Sequence, residues 1–180
     1  LRKVPYGESD FKKIKKENYL FVDKSKYIEI LEEDASYQFF IRPRRFGKSL
    51  FLSMLSNYYD INNKHEFEEL FGDLYIGKNP TPKKNSYFVL RLDFANISTN
   101  QGKDNLIKSF DIKVVTAVSD FLIRYKHLLN NEKSENNFND AVSAISYLSL
   151  KLAGTNNKMF VLIDEYDNFA NDLITSDEKL

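Results

Sequence analysis

The chain has 180 residues, with 26 Lys/Arg balanced by 26 Asp/Glu, 42% hydrophobic and 14% aromatic residues, and no cysteine. This composition supports a folded domain with a real core and argues against a disordered chain, while zero net charge implies no global attraction to nucleic acid. The lack of cysteine excludes disulfides, zinc–cysteine centres and thiol nucleophiles. No apolar run approaches the ~20 residues of a membrane span, so a cytoplasmic protein with no membrane partner is expected.

In chain order, Ser9 is placed to cap a helix reaching about Glu17, with Phe11 and Ile14 as its apolar contacts. Lys12, Lys13, Lys15 and Lys16 lie on it, and residues 1–50 carry twelve Lys/Arg against eight Asp/Glu. That edge reads either as a solvated helix face or as a surface for nucleic acid or a protein partner. Tyr19 to Val22 reads as extended, and Asp23 as the cap of a helix through Tyr27, Ile28 and Leu31. Tyr37 to Ile41 is aromatic and branched, which predicts a buried strand. Arg42, Pro43, Arg44, Arg45, Phe46, Gly47, Lys48 and Ser49 follow. Leu50, Phe51, Met54, Leu55 and Tyr58 then repeat at helical spacing.

Strand, Gly-Lys-Ser and helix, in that order, make a phosphate-binding loop. Backbone N–H groups wrap the phosphates, the lysine reaches the outer ones and the serine hydroxyl ligates Mg²⁺. The signature asks for glycine five residues before Gly47, where this chain has Arg42. Two alternatives stand beside this reading. One is a basic strand-to-helix turn without a ligand; the other is a turn that grips a nucleic-acid backbone through its arginines.

Further on, Phe67, Leu70 and Phe71 predict a short helix ended by Gly72, and Gly77 to Asn85 predicts a loop. Tyr87 to Phe94 predicts a strand, with Asp93 near its end in a turn or capping role or close to a metal. From Gly102, Leu106, Ile107, Phe110, Val114, Val118, Phe121, Leu122 and Tyr125 mark a helix of about six turns. Asn130 to Asn139 reads as a polar connection. Phe138, Ala141, Val142, Ile145, Leu148 and Leu152 mark another helix, and Gly154 to Lys158 a turn. The isolated His65 and His127 have no ligand-spaced partners.

Met159 to Ile163 is a continuous apolar run, read as a fully buried strand, and it ends in Asp164 and Glu165. Phe160 to Glu165 is thus a Walker B arrangement, in which the first carboxylate holds Mg²⁺ opposite the loop serine and the second polarises the attacking water. Alternating helices and apolar strands imply a three-layer α/β sandwich on a mostly parallel sheet. Tyr166 and Asp167 belong either to the site or to the next helix.

Four segments together resemble the prokaryotic AAA-ATPase-like family: Ser9-Asp10-Phe11-Lys12-Lys13-Ile14, Phe21-Val22-Asp23-Lys24-Ser25, Arg42 through Ser49, and Ile163-Asp164-Glu165-Tyr166-Asp167. The resemblance runs from about Val4 to the end, and members often carry a C-terminal PD-(D/E)XK nuclease-type domain. It implies an AAA/ASCE-like P-loop domain, with residues 1–36 as a helical lead-in and 37–180 as the core through Walker B. Arginine in place of the first Walker glycine is the family's usual form. The resemblance assigns nucleotide binding to Arg42, Pro43, Arg44, Arg45, Phe46, Gly47, Lys48, Ser49 and Leu50. Lys48 and Glu165 become the catalytic residues, Ser49 and Asp164 the metal ligands, and ATP and Mg²⁺ the cofactors.

The chain begins with leucine and stops just after the Walker B strand, which suggests an N-terminal fragment. Folds that resemble the family insert further strands, from beyond Walker B, between the P-loop and Walker B strands. The expectation is therefore unpaired strand edges, and a fragment that is unstable and inactive alone. The leading functional reading is Mg²⁺-dependent ATP hydrolysis. The alternative is a nucleotide-gated interaction module that recruits DNA or protein with little turnover. A small-molecule kinase would need an acceptor-site signature, and none is present. ATP is favoured over GTP only through the resemblance.

Overall fold

The computed structural model describes residues 1–34, 36–41, 43, 45–95, 103–129 and 137–166. It is a mixed α/β structure in two compact units, Leu1–Tyr87 and Phe88–Leu180. Among the described residues, no helix is long and apolar enough to cross a membrane.

The first unit contains α1 (Phe11–Lys16), α2 (Tyr27–Glu33), α3 (Lys48–Tyr59), a 3₁₀ turn (Ile61–Glu66), α4 (Phe67–Phe71) and α5 (Tyr75–Lys78). Asp10 caps α1, not Ser9 as expected. Its side chain sits at the residue directly before the helix and accepts from the N–H groups of Lys12 and Lys13. Phe11 and Ile14, three residues apart, are both fully buried, and α1 packs on α3 and α4. Helix α3 buries Phe51, Leu52, Ser53, Met54, Leu55, Ser56, Tyr58 and Tyr59. A helix buried on so much of its circumference is the core element of its unit. Aromatic rings close around it: Tyr58 lies edge-on to Phe71 with centroids 5.5 Å apart, and Phe71 meets Phe11 at 5.0 Å.

Two further expectations are corrected in this unit. Asp23 does not cap α2, whose N-cap is Lys26. Asp23 Oδ1 accepts from the Ser25 N–H at 2.8 Å, and its Oδ2 accepts from the Tyr75 N–H at 2.8 Å. The buried Ser25 Oγ accepts from the Ile76 N–H at 3.1 Å, so the 23–25 loop satisfies the start of α5. That short helix takes up Gly77 and Lys78, which the sequence had placed in a loop.

The segment Tyr37 to Ile41 is not a strand. Tyr37, Phe39 and Ile41 are 91%, 79% and 83% exposed, while Phe40 turns the other way and stacks on Phe51 at 5.0 Å. The physical reason is pairing: extended backbone becomes a strand only within a ladder, and the sheet among the described residues has two other members.

Those members are β1 (Tyr87–Asp93) and β2 (Lys158–Asp164), parallel neighbours; β1 begins at the last residue of the first unit. The second unit adds α6 (Lys103–Arg124) and α7 (Ala141–Ala153), which pack on each other. Helix α6 covers β1, with Phe88 4.9 Å from Tyr125 and 5.9 Å from Phe121 between ring centroids. Asp140 and Ser143 form a capping box at the start of α7. Its buried face is Ala141, Ala144 and Leu148, whereas Val142 and Ile145, expected on that face, are 75% and 38% exposed. Strand β2 is half-buried and not covered on both faces: Leu162 and Asp164 are inside, while Val161 and Ile163 are each 44% exposed. Alternation at a period of two follows when only one face of a sheet is covered.

Candidate functional site

The Gly-Lys-Ser segment lies at the start of α3. Gly47 is the N-cap, in the left-handed region at φ 77° and ψ 25°. A Cβ at this position would meet nothing within 4 Å, so glycine serves the backbone conformation and leaves open space in front of the helix. Arg45, two residues earlier, also has a positive φ of 68°. The Phe46 N–H donates to the Pro43 carbonyl at 3.4 Å. Pro43, Arg45, Phe46 and Gly47 are exposed, and Lys48, Ser49 and Leu50 are half-buried. Arg42 and Arg44 lie outside the described residues.

Electrostatics here favour an anion. Gly47 has no side chain to accept from the first helical N–H groups, and the first turn of α3 holds no acidic residue. The positive end of a twelve-residue helix and a lysine, Lys48, therefore fall in the same first turn. A phosphate chain fits that donor set.

The Asp-Glu pair closes β2. Asp164 is 6% exposed. Its carbonyl oxygen accepts from the Phe94 N–H at 3.1 Å, and its Oδ1 accepts from the Glu165 N–H at 3.0 Å. Its Oδ2 makes no hydrogen bond among the described residues. Glu165 is left-handed at φ 54°, a conformation that costs an L-residue ~1–2 kcal/mol. On the neighbouring strand, Asp93 Oδ1 accepts from the Ala95 N–H at 2.8 Å, the turn role among its alternatives. Both strands thus end in aspartate at their C-terminal edge, the edge where open parallel sheets bind ligands. No group of three or more His, Cys, Asp or Glu side chains poised for a metal occurs among the described residues. A magnesium ion here would draw most of its ligands from phosphate and water, as that ion commonly does. Asp167 lies outside the described residues. Gly47, Lys48 and Ser49 belong to the first unit, and Asp164 and Glu165 to the second.

The four lysines of α1 are engaged within the protein. Lys12 and Lys16 both pair with Glu66, Lys15 pairs with Asp73 at 2.5 Å and Lys13 with Glu8 at 2.6 Å. Hydrogen bonds from Lys12 and Lys16 hold the Glu66 carboxyl down at about 2. This favours the solvated-face reading of that helix, with α1 tied to the 3₁₀ turn.

One feature escaped the sequence. An apolar cleft lined by Lys24, Tyr27, Ile30, Leu31, Phe40, Gly47 and Phe51 opens beside the Gly-Lys-Ser turn. The segment around Lys24 is legible as a family motif, but its meeting with Gly47 depends on long-range packing of α2 against the start of α3.

Comparison with known proteins identifies the family of the chain. The family model described as "Predicted AAA-ATPase" matches residues 5–180, and the chain belongs to this AAA-ATPase-like family. A curated relative, the "Uncharacterized protein in vnfD 5'region" of Azotobacter chroococcum mcd 1, is 40% identical over 76 residues, covering 42% of this chain. The match spans 14% of that relative's length. No solved structure gives a significant match.

Proposed function

We propose that this protein binds ATP with Mg²⁺ and hydrolyses it on an AAA/ASCE-like three-layer P-loop domain. Residues 37–180 form the core through Walker B, and residues 1–36 the helical lead-in. The observation that carries the reading is the glycine-capped, acid-free start of α3 with Lys48 and Ser49 in its first turn, in a chain of a predicted ATPase family.

Residues Arg42 to Leu50 wrap the phosphates, with backbone N–H groups as donors and the left-handed Gly47 shaping the turn. Lys48 neutralises the outer phosphates. Ser49 and Asp164 would hold Mg²⁺, which supplies charge neutralisation on the transferring phosphoryl group. Asp164 suits that role through its unengaged Oδ2. Glu165 orients the attacking water, and its strained backbone fixes the carboxylate just past the strand end.

Replacing Glu165 by Gln tests the catalytic half of this reading. Steady-state ATP turnover should fall about 100-fold or more, with Mg²⁺–ATP affinity retained. Turnover at the wild-type rate in Glu165→Gln would remove Glu165 from the mechanism.

A further inference from the structure

We infer that the protein binds an internal water molecule at the C-terminal end of α3, held by the side-chain oxygen of Asn85 and bridging it to the last turn of that helix. The site lies within the first unit, and the inference does not depend on the nucleotide reading. Asn85 is 2% exposed and left-handed at φ 46°, a conformation that asparagine adopts more readily than most residues. Its N–H donates to the Tyr58 carbonyl at 2.9 Å, and its Nδ2 donates to the Asp60 carbonyl at 2.9 Å. Its Oδ1 is buried and meets no hydrogen-bond partner among the described residues.

Chemistry fixes the orientation of this amide. A half-turn would set Oδ1 against the Asp60 carbonyl, two acceptors facing each other, and would leave the amide nitrogen without a partner. The orphan is therefore an acceptor, and the group that completes it is a donor. The neighbouring side chains do not supply one. The Ser86 hydroxyl donates to the Lys83 carbonyl at 2.6 Å, and the Lys84 ammonium lies 4.1 Å from the ring centroid of Phe67. The Tyr58 hydroxyl is engaged with Thr81, whose N–H it accepts at 2.9 Å. Buried polar groups that protein atoms leave unpaired are where internal waters bind, and such a water needs at least two polar partners. The Tyr58 carbonyl is suited to be the second: it accepts the Asn85 N–H, and a carbonyl oxygen carries two lone pairs. One water hydrogen on Asn85 Oδ1 and the other on this carbonyl fasten the 79–86 loop to the end of α3, directly before β1 begins at Tyr87.

High-resolution crystal structures of the wild-type protein and of Asn85→Gly test the assignment, since glycine keeps the left-handed backbone while removing the amide. Wild type should show a water peak about 2.7–3.2 Å from Asn85 Oδ1, and that peak should be lost in Asn85→Gly. In solution, water NMR relaxation dispersion should show a weaker signal from long-lived internal water in the variant than in wild type; an unchanged signal would contradict the assignment. A protein donor on Oδ1, or no peak beside it, would overturn the inference. A peak that stays in place in Asn85→Gly would remove Asn85 as its holder. A peak that gains anomalous scattering after a rubidium soak would make the ligand a monovalent cation and overturn the water.

Discussion

The Phe94 N–H donates to the carbonyl oxygen of Asp164 at 3.1 Å, which ties the end of β2 to the residue just past the end of β1. This backbone bond sets where Asp164 stops. The side chain is buried there, and Oδ1 is committed to the next N–H in the chain. The end of β2 is thus held by a residue 70 positions earlier in the sequence, through main-chain geometry.

One N–H of β1 is satisfied by a side chain. Successive N–H groups along a strand point to opposite edges. Val89, an odd number of residues before Phe94, therefore turns its N–H away from β2, and the fully buried Tyr125 hydroxyl accepts it at 3.0 Å. Tyr125→Phe should leave a buried donor without its partner and cost ~1–3 kcal/mol. Thermal unfolding would report this as a Tm lowered by about 2–4 °C per kcal/mol. An unchanged Tm would mean the hydroxyl does not hold the strand.

Acid should loosen α1. The Glu66 carboxyl is held at about 2, well below the ordinary 4.5, by Lys12 and Lys16. A depressed carboxyl stabilises the fold fully above its unfolded value, and the contribution is lost as pH falls from about 4.5 through about 2. Surface pairs of this kind are worth ~0–1 kcal/mol each, so the effect is modest. In urea titrations, Glu66→Gln should be slightly less stable than wild type at pH 7, and the difference should vanish by about pH 2. A difference independent of pH would point to packing as its cause.

Gly47 separates conformation from space. A methyl group at this position meets open space, yet φ is 77°. Gly47→Ala should therefore cost ~1–2 kcal/mol through backbone strain alone, or else relax the turn and weaken phosphate binding. Parallel unfolding and nucleotide titrations distinguish the two routes. A variant unchanged in both would contradict the left-handed turn.

Local pattern was the legible part of this fold. The helical periods of α3, α4 and α6, the stop at Gly72 and the strand of β1 follow from side-chain spacing and turn residues, which act over a few positions. The lysines of α1 were legible as a charged face, but their partners Glu66 and Asp73 lie more than 50 residues away. Asp23 was misread because a cap is defined by where the chain turns, and its carboxylate serves the start of α5. Tyr37 to Ile41 has the composition of a strand, but strand formation needs a neighbour that composition does not supply. On β2 and α7 the apolar residues were identified, but the covered face was not, because cover comes from other elements. At the candidate site, motif spacing named Lys48, Ser49, Asp164 and Glu165. The cleft at Gly47 came only from packing.

The start of α3 is proposed to hold the phosphates of a nucleotide. Calorimetric titration of ATP into wild-type protein and Lys48→Ala, with and without Mg²⁺, tests it most directly. Mg²⁺-dependent binding by wild type and its loss in Lys48→Ala are expected. No binding by folded wild-type protein, or equal binding by the variant, would contradict it.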